Sequence, residues 1–174
     1  MEKNVKVSEE LFDLVKNIQI SNPTAIFGGS IALNALGLLD RPIHDIDVLF
    51  PIGFSMSKNF NFKDIDAFES SETITDFDGV PVQRVGMKSS KTKICVFKLP
   101  SEQLQYTEVD FFGLKICVQN PEQAIWAKIC YSDKTYKHRK DLFEVFKNLL
   151  TNPNGLQRFT NIVNSNKKAY NSKD

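Results

Sequence analysis

The chain has 174 residues, which is enough for one hydrophobic core and too few for two comfortable domains. Its charged and apolar fractions are ordinary for a soluble globular protein, and a formal net charge of +1 gives no whole-chain attraction to nucleic acid or membrane. No apolar run approaches transmembrane length, and the charged N-terminal segment lacks the apolar centre of a signal peptide. Three scattered cysteines without a C-x-x-C motif predict a cytoplasmic protein with the cysteines in its core.

The first predicted element is a helix over residues 8–19. Ser8 can accept a hydrogen bond from the first helical turn. Asn22 and Pro23 end the helix, because a proline cannot continue it. Apolar side chains recur at helical spacing and predict a buried stripe formed by Leu11, Leu14, Val15 and Ile18.

The next 25 residues, 26–50, have the pattern of a strand, a glycine turn, a helix, a loop and a second strand. Gly28 and Gly29 have no Cβ, so the backbone can turn tightly there and a bulky group can approach it. Ser30 stands where the N-cap of the following helix is expected. Two acids, Asp45 and Asp47, begin the second strand.

The spacing of these two acids has a chemical consequence. Side chains alternate along a strand, so Asp45 and Asp47 share one face while Ile46 and Val48 point into the core. Neighbouring carboxylates repel each other unless a cation lies between them, and Mg²⁺ prefers oxygen ligands and keeps substrate phosphates in its shell. The turn at residues 28–30, at a helix N-terminus, suits a phosphate. This unit therefore predicts a combined metal and nucleotide site.

Two other segments also have the form D-x-D. They are residues 64–66 and 76–78, and neither follows a Gly-Ser turn at a suitable distance. We predict that these four acids are surface residues. Residues 72–99 then show a β pattern, with Asp78-Gly79 as a hairpin turn and Ile94 to Phe97 as a further strand.

A later strand, residues 107–112, carries a candidate for a third acid. Glu108 and Asp110 share a face of this strand, and Asp110 lies between the apolar residues Val109 and Phe111. Asp110 is either a third site carboxylate or part of an exposed acidic face on an edge strand. Gly113 then turns the chain into another strand.

The last part of the chain is predicted to be helical. A helix starts at Pro121 after the capping residue Asn120, and a second helix starts near Arg139. After Thr151 the chain becomes polar, with one short helix. The predicted buried side of the second helix consists of Leu142, Phe143, Val145, Phe146, Leu149 and Leu150.

The glycine turn and the D-x-D motif resemble the nucleotidyltransferase superfamily with the polymerase β-like fold. Its signature is Gly-Ser, then roughly ten to fifteen residues, then D-x-D before an apolar strand end. The further match of Leu36-Gly37 and of the segment 41–47, R-x-x-H-D-I-D, is similar to aminoglycoside and lincosamide nucleotidyltransferases and to abortive-infection toxin nucleotidyltransferases. The residues that carry the core resemblance are Gly28, Gly29, Ser30, Asp45 and Asp47.

A second resemblance covers residues 121–146. It is similar to the toxin-like group, in which a Pro-Glu helix start precedes a helix lysine and a later Arg-Lys-Asp. The resemblance implies that Lys128 contacts nucleotide phosphate and that Asp141 orients the site. Arg41 either reaches a phosphate from its loop or is solvated. The alternative for Lys128 is a side chain that extends along an apolar helix to water.

Together these patterns predict an α+β nucleotidyltransferase core, with a mixed sheet that carries Asp45, Asp47 and Asp110 and with flanking helices. We predict one domain over residues 1–150 and a short helix with a polar tail over 151–174. The resemblance implies Mg²⁺-dependent transfer of a nucleoside monophosphate from an NTP to a hydroxyl of tRNA, a protein or a small molecule. It also suggests a toxin or phage-defence role with an antitoxin, or a homodimer. The alternative is a non-catalytic binding or regulatory protein with the same fold.

Overall fold

The structure is a computed structural model that describes residues 7–54, 67–75, 81–89, 92–131 and 136–151, together with residues 154, 155, 157, 160 and 164. The D-x-D segments at 64–66 and 76–78 and the predicted turn at Asp78-Gly79 lie outside the described residues. The short helix predicted after Thr151 falls largely outside them as well. In the part of the chain that is described, none of the helices combines the length and the apolar character needed to cross a bilayer.

Within the described ranges, seven strands form one mixed sheet in the order β3-β4-β5-β2-β1-β7-β6. The central strand β2 is antiparallel to β1 and parallel to β5, and β1 is parallel to β7. The remaining neighbours are antiparallel. The bounds are β1 Ile26–Phe27, β2 Asp45–Pro51, β3 Ala67–Thr75, β4 Pro81–Ser89, β5 Thr92–Leu99, β6 Tyr106–Phe111 and β7 Leu114–Gln119.

Four helices accompany the sheet in the described residues. They are α1 Glu9–Ser21, α2 Gly29–Ala35, α3 Pro121–Tyr131 and α4 Tyr136–Thr151, and a short 3₁₀ turn spans Ser101–Gln103. The Ser8 hydroxyl accepts a hydrogen bond from the Leu11 N–H at 3.1 Å, which confirms the predicted cap of α1. The predicted apolar stripe of α1 is buried.

The core lies on one face of the sheet, and the acid pair lies on the other. Ile46 pairs with Ile94 and Val48 pairs with Val96, and all four side chains are fully buried. The ring of Phe12 on α1 stacks on that of Phe111 with a centroid separation of 6.4 Å, so α1 contributes to this core. The alternation predicted for β2 is thereby confirmed.

The buried side of α4 differs from the prediction. Leu142, Val145 and Leu149 are buried, but Phe143 is 76% exposed and Leu150 is 69% exposed. The helix advances by about 100° per residue, so these six apolar residues cover too wide an arc to face one core. The inward face is completed by Asp141, which is charged and which the apolar pattern could not identify.

The turn between β1 and α2 brings the backbone against the acid pair. Gly28 is the N-cap, so the predicted N-cap Ser30 is wrong: Ser30 lies inside the helix, which starts one residue earlier. The Gly28 N–H donates to the Asp47 carbonyl at 2.9 Å. Gly29 has φ +54°, and a Cβ there would overlap the Asp47 carboxylate oxygen Oδ2. The site thus requires glycine for both backbone conformation and space.

We expect Gly29→Ala to destabilise the protein more than Gly37→Ala, which is a matched control. Gly37 also has positive φ, +72°, but a Cβ there meets nothing within 4 Å. Strain alone should cost about 1–2 kcal/mol at either position, and the overlap with Asp47 should add at least about 1 kcal/mol at Gly29 only. Urea unfolding measures both. Equal losses would contradict the close approach of the turn to Asp47.

Candidate functional site

The acid pair begins β2, beside the glycine turn. The Asp45 side chain is 36% exposed, and Asp47 is partly buried. Burial and the neighbouring charge of Asp45 raise the pKa of Asp47 to about 6, although Lys128 and Arg84 act in the opposite direction. The charge of Asp45 therefore lies close enough to disfavour the ionisation of Asp47, as the shared face of the strand predicts.

One oxygen of this pair lacks a partner. Asp45 Oδ1 is buried and accepts no hydrogen bond from the residues that the structure describes. The other oxygen, Oδ2, is 3.8 Å from the Lys137 ammonium nitrogen. A buried anionic oxygen without a hydrogen bond is costly, and a bound cation would satisfy it. The donor chemistry thus fits a hard divalent cation.

The protein contributes two carboxylates to such a site. No group of three or more His, Cys, Asp or Glu side chains in the described part of the chain is placed to hold a metal. Mg²⁺ at nucleotide sites commonly takes one or two carboxylates and completes its shell with phosphates and water. Asp45 and Asp47 therefore suit Mg²⁺ that arrives with an NTP better than a metal held by protein groups alone.

A buried ion network lies next to the acid pair and is centred on Asp141, which is only 2% exposed. Arg41 donates to it through Nε at 2.6 Å and Nη2 at 2.8 Å. Lys128 donates through Nζ at 2.8 Å, and its side chain is only 8% exposed. Burial opposes the ionisation of Asp141, but the hydrogen bonds from Arg41 and Lys128 prevail and lower its pKa to about 2.

The network also reaches α2 and α4. Arg41 Nη2 donates to the Ser30 hydroxyl at 2.9 Å, and Arg41 Nη1 donates to the Pro42 carbonyl at 2.8 Å. Lys128 Nζ is 3.4 Å from Nδ1 of His138. Burial and the charge of Lys128 lower the pKa of His138. The loop before β2 and the helices α2, α3 and α4 are thus tied together by one carboxylate.

These contacts bear on the roles predicted for four residues. The structure brings Ser30, Lys128 and Asp141 into one cluster, and Lys128 lies close enough to lower the pKa of Asp47. Arg41 belongs to the same cluster, but Asp141 and Ser30 take its Nε and Nη2 donors and the side chain is 20% exposed. Arg41 is therefore held by Asp141 and Ser30, so the solvated arginine considered as its alternative is not observed, and its contact with a phosphate stays a prediction.

Asp110 lies far from the acid pair. Across the sheet, three strand spacings of about 14 Å in total separate β6 from β2. Along the strands, Asp110 pairs with Lys115, which lies four residues, or about 13 Å, from the level of Asp47 on β7. Its Oδ1 accepts the Gly113 N–H at 3.1 Å in the β6–β7 turn. Phe112 and Gly113 both have positive φ, as a two-residue type I′ turn requires. The structure therefore places Asp110 on the exposed face of an edge strand, which is the alternative to a third site carboxylate.

The strand that does lie beside the acids is β5. In its register Lys93 is the neighbour of Asp45 and Cys95 is the neighbour of Asp47. Burial and the charge of Asp47 raise the pKa of the Cys95 thiol, and Arg84 Nη2 lies 3.6 Å from its sulfur. The sequence pattern gives no sign that Lys137 and Arg84 lie near the acids, because these contacts depend on strand register and on how α4 packs.

Sequence comparison finds no matching protein family and no matching curated protein. Structural comparison finds a Thermotoga maritima protein, provisionally assigned as a nucleotidyltransferase, at TM-score 0.52 and 18% identity; the match covers 79% of this chain and 96% of that one. Two Helicobacter pylori structures, one with the same provisional assignment, give TM-scores of 0.47 and 0.46 at 15% and 14% identity. They cover 94% and 93% of this chain and 78% and 80% of theirs.

The Thermotoga likeness confirms the predicted fold class. The chain has the mixed sheet and flanking helices of the nucleotidyltransferase fold. At 18% identity the likeness shows the fold alone and not the chemistry of the site.

We expect Asp141→Asn to lower the free energy of unfolding by about 3–5 kcal/mol, because it leaves Arg41 and Lys128 without their buried counterion. Glu108→Gln is the matched control, since Glu108 forms a 2.8 Å ion pair with Lys115 in which both side chains are more than half exposed. That change should leave the stability nearly unaltered. Urea unfolding of both variants is the measurement. A loss for Asp141→Asn no larger than that of the control would contradict the buried network.

We expect Asp47 to titrate near pH 6 without added metal, well above its ordinary value of 3.8. Between these pH values the folded protein binds more protons than the unfolded chain, so the contribution of Asp47 to stability falls as the pH rises through this window. Carboxyl ¹³C NMR measures the midpoint, with Asp47→Asn to assign the signal. Mg²⁺ bound by the carboxylate should lower the midpoint. A midpoint near 4 without metal would contradict the electrostatics described above.

Proposed function

We propose that this chain is a Mg²⁺-dependent nucleotidyltransferase, which moves a nucleoside monophosphate from an NTP to a hydroxyl group. The observation that carries the proposal is the acid pair on β2, which lies against the glycine turn and close to the buried Arg41–Asp141–Lys128 network. The fold also supports the proposal, because the chain is similar to a solved structure that is provisionally assigned as a nucleotidyltransferase.

Asp45 and Asp47 are the residues that would hold the cation. Bound there with the phosphates, Mg²⁺ would neutralise their charge and polarise the α-phosphate. The turn at Gly28 and Gly29 lies directly against β2 because neither residue has a Cβ: a Cβ at Gly28 would overlap the Leu49 side chain, and one at Gly29 would overlap the Asp47 carboxylate. The ammonium of Lys128 supplies positive potential beside the acids, and Asp141 holds it in place. The chain thus supplies two carboxylates for the metal and an oriented positive charge.

The reaction follows from these parts. The acceptor oxygen attacks the α-phosphorus in line with the bridging oxygen to the β-phosphate. The bond to that bridging oxygen breaks, pyrophosphate leaves, and the hydroxyl proton passes to a base. Asp110 is not assigned to this step, because it lies on the far strand of the sheet and supports a turn.

The finer features of this proposal rest on the resemblance of residues 28–47 and 121–146. That resemblance supports a hydroxyl of tRNA, of a protein or of a small molecule as the acceptor. It also supports a toxin or phage-defence role, with an antitoxin or a second copy of the chain as partner. Each of these stays a prediction.

A second candidate is a nucleotide-binding or regulatory protein that has kept the fold without the reaction. The register of β5 favours this candidate, because Lys93 and Cys95 stand beside Asp45 and Asp47 where a third carboxylate would complete a two-metal site. Binding of Mg²⁺ and NTP is common to both candidates. Turnover distinguishes them.

The first experiment measures thermal stability with each of the four NTPs, with and without Mg²⁺. A ligand that binds only the folded state raises the melting temperature. We expect a Mg²⁺-dependent rise that is largest for one NTP and lost in Asp45→Asn/Asp47→Asn. Asp110→Asn is the matched control, and it should keep the rise because Asp110 lies away from the site.

Incubation with the preferred NTP, labelled at the α-phosphate, then tests for chemistry. Release of pyrophosphate and transfer of the label, both abolished by Asp45→Asn, would support the transferase. Binding without turnover for any acceptor class would favour the regulatory candidate. A melting temperature that does not respond to any NTP with Mg²⁺ would contradict both.

A further inference from the structure

The acid pair has a cation beside it already, the ammonium group of Lys137. Lys137 lies in the first turn of α4, and its Nζ is 3.8 Å from Asp45 Oδ2. The Lys137 side chain is 49% exposed, compared with 36% for Asp45. Lys137 also lowers the pKa of Asp47 through its charge. It is thus a half-exposed positive charge beside the acid pair.

Lys137 differs from Arg41 and Lys128 in how it is held. Arg41 and Lys128 donate hydrogen bonds of 2.6–2.8 Å to the buried Asp141. The distance from Lys137 to Asp45 is too long for a hydrogen bond, and an exposed ion pair of this kind contributes little stability. The lysine stem is flexible, so its ammonium group can change partners at small cost.

A divalent cation at the acids would reverse the preference of Lys137. With the carboxylates neutralised, the attraction between Lys137 and Asp45 is lost and like charges repel. The triphosphate of a bound NTP then offers new anionic oxygens, and an ammonium group binds phosphate as a point charge. One side chain can therefore serve as counterion for the empty site and as phosphate ligand for the filled one.

We propose that Lys137 makes this exchange: it pairs with Asp45 in the free protein and contacts the triphosphate of the donor when the metal and nucleotide bind. The proposal rests on the proposed function, because it takes the donor to be an NTP with Mg²⁺. The proposal makes Lys137 a phosphate-binding residue of the site. Lys137 would weaken the binding of the metal alone and strengthen the binding of the nucleotide.

Isothermal titration calorimetry on the full chain tests the exchange. Mn²⁺ alone and the preferred NTP with Mg²⁺ are titrated into the wild type, into Lys137→Gln and into Lys147→Gln. Lys147 is the matched control, since it is an exposed lysine later on the same helix. We expect Lys137→Gln to bind Mn²⁺ alone at least about twofold more tightly, because a competing positive charge is removed. The same variant should bind the nucleotide about tenfold more weakly.

These opposite signs separate the exchange from other roles. A solvated Lys137 would leave both affinities unchanged, and a general loss of structure would weaken both; either result overturns the proposal. If Lys147→Gln reproduces the pattern, the effect is one of net charge and the proposal is also wrong. Failure of the wild type to bind metal or nucleotide would overturn the proposed function itself, whereas normal wild-type binding with an unaffected Lys137→Gln overturns only the exchange.

Discussion

The buried carboxylate of Asp141 is the interaction on which the site depends. It is 2% exposed and holds both Lys128, which is 8% exposed, and Arg41, which is 20% exposed. Removing Asp141 would leave Lys128 buried without its counterion, which costs several kcal/mol. Because Arg41 also bonds Ser30 on α2, this one carboxylate fixes the relation between the helices and the strand that bears the acid pair.

The acid pair is constrained from two other sides. The glycine turn lies so close to Asp47 that no side chain fits at Gly29, and the Gly28 N–H binds the Asp47 backbone. On the other side, Lys128 and Lys137 bring positive charge toward the carboxylates. The pKa of Asp47 nevertheless rises to about 6, because burial and repulsion from Asp45 exceed this attraction. A divalent cation would stabilise this partly buried pair of carboxylates, because it would neutralise their negative charge.

Sheet order explains why the third acid of the sequence analysis is not in the site. Alternation along β6 correctly places Glu108 and Asp110 on one face, but alternation says nothing about which strand lies next to β2. That neighbour is β5, which joins in parallel, and its register sets Cys95 beside Asp47. Asp110 instead accepts a hydrogen bond in a tight turn at the opposite edge. Lys137 was overlooked for a related reason, since its distance from Asp45 depends on how α4 packs.

Patterns of neighbouring residues in the sequence were sufficient to predict several structural features. Alternating side chains on β2 place two acids on one face, the Gly-Gly pair specifies a tight turn, and Ser8 and Pro121 mark helix starts. These features depend on neighbours within a few residues, and together with the resemblance they predicted the fold. The tertiary structure alone decided the strand order, the inward face of α4 with Asp141, and the partners of Arg41. Those depend on contacts between residues about 100 positions apart, as Arg41 and Asp141 are, and no local pattern encodes them.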